Sequence, residues 1–420
     1  VRRTASPSIH SASITDGPQP HRFALVDSMR ALAAISVIVF HVSYWFPVPA
    51  SGPWQYLSQR NAGPPVTGVV LFFLISGFVL YRPFVQARFE GRSLPALYPY
   101  AIRRIARIVP AYWLALTVVT IWFGLHEVMS VSGVVRYYGF LQLYGTVRTA
   151  GGGISVAWTL CVEVTFYATL PLLAFAARRA GSRASPVRGE LAMCAVLALG
   201  SLGWQALMIA TVPESSGSLL TLLLILPGSL DLFAFGMAMA VLSAALTPLD
   251  RPAWLRIVDR WPGLPWLLAV GAFYAVGRMP TLAGRSYALW WLTSHELKAL
   301  GCALLLVPAV FGSERRGVLR RVLGFPPLLW LGAISYGIYL WHKPLLDKLG
   351  PHLAPHGELF TAVVITGITV AVAAASFYAV ERPLQRMARR YLAARTAPSP
   401  LPAPAAVATV AVAAPPDTRQ

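Results

Sequence analysis

Arg30 and His41 stand eleven residues apart in an otherwise apolar run that ends at Phe46. That spacing is close to three helical turns, so in a helix both side chains project from one face, about 16 Å apart along the axis. This is roughly half of a bilayer's hydrocarbon core. An ionisable group inside a membrane-spanning helix is costly unless it faces protein or water, which makes His41 a functional candidate. Glu163 lies about eight residues into a later apolar run. If the first run crosses outward and the later one inward, the two groups differ by only about 5 Å in depth. A carboxylate beside an imidazole fixes its tautomer and raises its proton affinity, as a base acting on a hydroxyl needs. Arg103, Arg104 and Arg107 open a third run, and Arg104 and Arg107 share a helix face. Guanidinium groups hold phosphate oxygens in bidentate fashion, although such a cluster also serves as an orientation signal or a contact for anionic lipid.

The elements that must position these groups follow from composition. The chain has 420 residues, 56% of them hydrophobic and 12% charged, with a mean hydropathy of +0.60. This composition lies far from that of a soluble domain. The fold class is all-α, a polytopic membrane helical bundle, because apolar runs alternate with short arginine-rich breaks and the period-2 pattern of a barrel is missing. About ten spans are expected. The first four fall near 30–46, 65–80, from the 82–107 break to about 125, and 155–177. The rest fall near 190–210, 219–246, 264–278, 289–311, 328–346 and 358–380. Residues 1–21 read as a disordered arm, 22–390 as the membrane domain and 391–420 as an Ala/Pro-rich disordered tail.

The formal net charge is +19, yet the arginines sit in the breaks between spans, which argues for orientation and against nucleic acid. Their bias to one set of loops places both termini in the cytoplasm of a multi-pass plasma-membrane protein. No charged start, short apolar core and cleavage site precede Arg30, so the first span is expected to remain as an anchor. Cys161, Cys194 and Cys302 all lie within apolar runs and indicate neither a disulfide framework nor zinc. No metal site is expected.

Six motifs resemble one family. They are Arg30-x10-His41, Ser76-Gly77-Phe78, the 103–113 stretch RRIARIVPAYW, the 157–167 stretch AWTLCVEVTFY, the 331–345 stretch LGAISYGIYLWHKPL and Val380-Glu381-Arg382-Pro383. In this order they look like the motifs of the acyltransferase-3 family of integral membrane O-acyltransferases, over about Phe23 to Pro383. The resemblance implies an acyl-coenzyme A donor, an acceptor hydroxyl usually on a sugar, and a functional role for Arg30 and His41. It also implies a donor site at Arg103, Arg104, Arg107 and Tyr112, and an acidic residue at Glu163. Val164 and Cys161 depart from the family pattern, in which a second acid and a serine are common at these positions. The length suggests the form without a fused soluble domain.

Further candidates are Trp158, Tyr167, Asp231, Tyr336, His342 and Glu381, with acceptor-side or structural roles; Glu381 is expected to pair with cytoplasmic arginines. His295, Glu296 and Lys298 read as a solvated cluster. The resulting expectation is a membrane enzyme using acyl-coenzyme A as co-substrate, with no tightly bound cofactor. Its partners are a hydroxylated, glycosylated acceptor and membrane lipid. The acceptor is an envelope glycan or glycolipid, or a macrolide-type secondary metabolite. A proton-coupled transporter is the alternative, because buried His, Glu and Asp also suit a proton path.

Overall fold

The computed structural model describes residues 24–46, 67–180, 185–246, 252–279, 287–312 and 318–396, and within these every regular element is helical. The expected arm at 1–21 and the chain beyond 396 lie outside the described residues. Ten principal helices match the expected spans. They are α1 (Ala24–Ser43), α2 (Thr67–Phe89), α3 (Leu97–Phe123), α4 (Trp158–Ala180), α5 (Pro186–Thr211), α6 (Leu226–Ala245), α7 (Leu264–Arg278), α8 (Tyr287–Phe311), α9 (Ser335–Leu353) and α10 (Glu358–Ser376). An eleventh, α11 (Arg382–Thr396), continues α10 through a π turn at Phe377–Glu381. It runs past the expected boundary at 390.

Among the described residues, eight segments are long and apolar enough to cross a membrane, against about ten expected. The two shortfalls have physical causes. Helix α7 has only 15 residues. Helix α9 carries His342, Lys343, Asp347 and Lys348 among its apolar residues, and the stretch expected as one span from 328 breaks at Ile334 into Pro326–Ala333 and α9. The sixth span likewise breaks at Ile225, which is extended and caps α6, with Pro227 in its first turn, where proline's missing N–H costs no hydrogen bond.

Small residues set the packing. A Cβ at Gly77 would stand 2.2 Å from the Phe233 carbonyl oxygen, and one at Gly236 would stand 2.0 Å from that of Leu74. Helices α2 and α6 therefore touch backbone to backbone, as apolar helices do where dispersion replaces the hydrophobic effect. Around this contact Phe73 stacks on Phe233 at 4.8 Å between ring centroids, and Phe233 on Phe166 of α4 at 4.0 Å. Helix α1 packs in the same manner, with Gly332 against the Asp27 backbone and Gly68 against that of Ala33.

The 124–157 connection is folded inward. Gly124 closes α3 in the left-handed region at φ 64°. Ser130 then caps a helix at Val131–Tyr138 by accepting from the Gly133 amide at 3.0 Å, one of the orphan donors that a helix start leaves. Tyr137, Gln142, Leu143, Ile154, Val156 and Ala157 are buried. Helix α4 therefore begins inside the protein and not at its surface.

Valine at Gly77 or Gly236 should lower the thermal midpoint of the detergent-solubilised protein, by about 1–3 kcal/mol or more in stability, because neither backbone can retreat. Gly200→Ala, which meets nothing within 4 Å, should leave the midpoint unchanged.

Candidate active site

One open cleft, with about 690 Å³ of space, gathers six of the thirteen candidate residues. Arg30 comes from α1, Phe72 and Ser76 from α2, Arg104 and Arg107 from α3, Thr159, Glu163 and Tyr167 from α4, and Tyr336 and Tyr339 from α9. The guanidinium of Arg30 is 16% exposed and donates to Asp27 Oδ1 at 2.6 Å. Arg104 Nε is buried without a partner. Glu163 accepts from Ser76 Oγ at 3.1 Å and from the Tyr167 hydroxyl at 2.8 Å, and it lies in the field of Arg107 and Arg30. The Tyr336 hydroxyl donates to Ile108 O at 2.9 Å and ties α9 to α3.

Tyr339 is held at the inner part of the cleft. Its hydroxyl donates to Val156 O at 2.8 Å and lies 2.8 Å from Thr159 Oγ1, while Phe72 meets its ring edge-on at 5.9 Å. One turn further along α9 stands His342, with its ring 5.7 Å from that of Tyr339. His342 Nε2 is 3.2 Å from His41 Nδ1. The two imidazoles, 4.9 Å apart at their centroids, thus meet just beyond the cleft.

The expected meeting of His41 with Glu163 does not occur. Glu163 bonds Ser76 and Tyr167 at the level of Arg30, whereas His41 faces His342 and, beyond it, Lys343 and Asp347. The inward-folded 124–157 connection is the reason: it starts α4 inside the protein, so that counting residues from a surface misplaces Glu163 relative to His41. Tyr112 does not line the cleft either. It is fully buried and donates to Tyr137 O at 2.9 Å while accepting from Gln142 Nε2 at 3.2 Å. Arg103 points to the exposed side of α3, away from Arg104 and Arg107. Trp158 packs against the core beside the cleft, and Cys161 is buried with Sγ directed at Ala157 O.

His295 and Lys298 are not a solvated cluster: they are 2% and 0% exposed. His295 Nε2 lies 2.7 Å from Asp231 Oδ2, and Ser201 donates to Asp231 Oδ1 at 2.9 Å. Donor atoms of Asp231, His295 and Glu296 all fall within 4.8 Å of one another. No metal-ligand set was expected, because its members are spread over α6 and α8 and only packing brings them together. Glu381 is 2% exposed with one carboxylate oxygen unpartnered, in the field of Arg107. Among the described residues it makes no ion pair with the cytoplasmic arginines expected as its partners; Arg107 acts on it only through its field.

Sequence reasoning missed Ser76, Thr159 and Tyr339 as lining residues, and His342 as the partner of His41. A signal existed: Tyr336, Tyr339 and His342 recur every third residue, which places them along one side of α9.

Residues 23–379 match the acyltransferase domain family, and the chain belongs to this acyltransferase-3 family of integral membrane proteins. It is 24% identical over 397 residues to the peptidoglycan O-acetyltransferase OatA of Listeria monocytogenes, covering 86% of this chain and 55% of that protein. It is 25% identical over 395 residues to nodulation protein 10 of Rhizobium leguminosarum bv. viciae, covering 88% and 95%. It is 28% identical over 348 residues to the exopolysaccharide production protein ExoZ of Rhizobium meliloti, covering 77% and 90%. The chain thus spans about half the length of the Listeria enzyme and most of the length of both rhizobial proteins. No solved structure matches the chain.

Tyr112→Phe removes the buried hydroxyl that donates to the Tyr137 carbonyl and accepts from Gln142 Nε2, and should destabilise the protein by about 1–3 kcal/mol in thermal unfolding.

Proposed function

We propose that the protein is an acyl-coenzyme A-dependent O-acyltransferase of the plasma membrane that moves a short acyl group to a sugar hydroxyl of a cell-envelope glycan or glycolipid. The observation that carries this reading is the continuity from Arg30, Arg104 and Arg107 through the cleft to Tyr339, one turn from His342 and His41. The donor's phosphates sit on the arginines, whose charge and fork geometry suit them. The pantetheine arm extends along the cleft and brings the thioester toward His41, about 16 Å further along α1. Both termini and the arginine end of the cleft face the cytoplasm, because the arginine-rich loops lie on that side.

His41 takes the proton of the acceptor hydroxyl as its oxygen attacks the thioester carbonyl. The new C–O bond forms, the C–S bond breaks, and the same proton passes to the departing thiolate, so that ester and thiol are the products. Transfer is direct, without an acyl-histidine intermediate. Glu163 acts at the donor end, where its charge offsets the arginines and its two hydrogen bonds brace Ser76 of α2 and Tyr167 of α4. The glycan acceptor is supported by the names of the relatives, peptidoglycan O-acetyltransferase and exopolysaccharide production protein.

The test is thiol release from short acyl-coenzyme A donors by protein purified in lipid. His41→Ala should abolish release while retaining coenzyme A binding. Equal release by wild type and variant would show that His41 is not the base, and acceptor-driven proton flux without thioester cleavage would favour the transporter alternative. Arg104→Gln and Arg107→Gln should each weaken coenzyme A binding by about 10- to 100-fold, as loss of a charge-assisted hydrogen bond does. Added salt should weaken the wild type more than the double variant.

A further inference from the structure

The geometry assigns to His342 the task of fixing the tautomer of His41, an inference that rests on the reading of His41 as the base. His342 Nδ1 lies 2.7 Å from Tyr339 O. A carbonyl oxygen only accepts, so this nitrogen must carry the hydrogen. In the neutral ring Nε2 of His342 is then a lone pair, and it is aimed at His41 Nδ1, 3.2 Å away. His41 Nδ1 also lies 2.9 Å from Val37 O. Two acceptors thus face the same nitrogen, and both require it to be N–H.

The consequence falls on the other nitrogen of His41. With the hydrogen held at Nδ1, Nε2 keeps the lone pair and is the atom that takes the hydroxyl proton. The opposite tautomer would set the Nδ1 lone pair against a carbonyl oxygen and an imidazole lone pair together, with no donor in the contact. When His41 becomes an imidazolium, its Nδ1–H bond to His342 becomes charge-assisted and strengthens, so the partner stabilises the state that forms during transfer. This is the role that Glu163 would have filled had it reached His41.

An imidazole suits the place better than a carboxylate. His342 is 1% exposed, and a second ionised group buried there would carry a desolvation cost in the resting enzyme that a neutral acceptor avoids. The charged groups that act on His41, Lys343 and Asp347 of α9, are bonded to each other. His342 is too enclosed to touch substrate and is a positioning residue.

The experiment compares His41→Ala, His342→Ala and His342→Gln in the thiol-release assay, and measures the nitrogen-15 shifts of labelled His41 in wild-type protein in lipid. Glutamine can present its amide oxygen where Nε2 of His342 stood. His342→Ala should lower kcat by about 10- to 100-fold with little change in the donor KM, and His342→Gln should recover most of the loss. The wild-type spectrum should show His41 protonated at Nδ1 and bare at Nε2. If His342→Ala turns over like wild type while His41→Ala is dead, the tautomer assignment fails and the base reading stands. If His41→Ala remains active, the base reading itself fails. A wild-type His41 protonated at Nε2 overturns the proposal even if the His342 variants do not fold.

Discussion

The backbone contacts of Gly77 with Phe233 and of Gly236 with Leu74 are the constraint on which the interior depends. Two helices that meet backbone to backbone cannot slide without a carbonyl striking a Cα, so the register of α2 against α6 is fixed. Ser76 follows from that register. Gly77 must face α6, and its neighbour, turned about 100° around the helix, faces α4 and meets Glu163. The stack of Phe73, Phe233 and Phe166 closes the same three-helix joint. One small-residue pair in the sequence thus orders both an apolar packing and a polar contact in the cleft.

Away from the cleft, buried polar groups find partners on distant helices. Glu190 of α5 takes Arg88 at 2.6 Å and the Tyr81 hydroxyl from α2. Asp231 of α6 takes Ser201 from α5 and His295 from α8. Bonds of this kind in an apolar setting cost a great deal to leave unmade, so they lock helices into place more than they add net stability. In the cleft Arg104 Nε is buried without a hydrogen-bond partner, as are His295 Nδ1 and Glu296 Oε1 beside Asp231.

Sequence and structure agree best where chemistry and helix period coincide. Arg30 with His41, and Arg104 with Arg107, were legible because each pair lies on one helix, where spacing alone fixes relative direction. The pairing of His41 with Glu163 was misjudged because it compared depths on two helices and assumed that both start at a surface. The buried Ile154, Val156 and Ala157 show that α4 does not. Asp231 with His295 was illegible for a related reason: sixty-four residues separate them, and only the packing of α6 against α8 decides that they meet. The assignment of Tyr112 to the donor site came from its motif, yet burial directs its hydroxyl to the 137–142 connection.

The π turn at Phe377–Glu381 carries a surplus residue relative to an α-helix and so rotates everything after it by about 100°. Ahead of the turn the helix is almost wholly apolar; behind it come Arg382, Arg386, Arg389, Arg390 and Arg395. The shift lets one continuous rod present unrelated faces at its two ends. At the far end Tyr391 reaches the Tyr98 hydroxyl at 2.9 Å, and Arg395 lies over the Tyr98 ring. Tyr98 stands in the first turn of α3, the helix that carries Arg104 and Arg107. The last helix is therefore a strut against the arginine-bearing one, and the phase of that strut is set by a single residue about ten positions upstream.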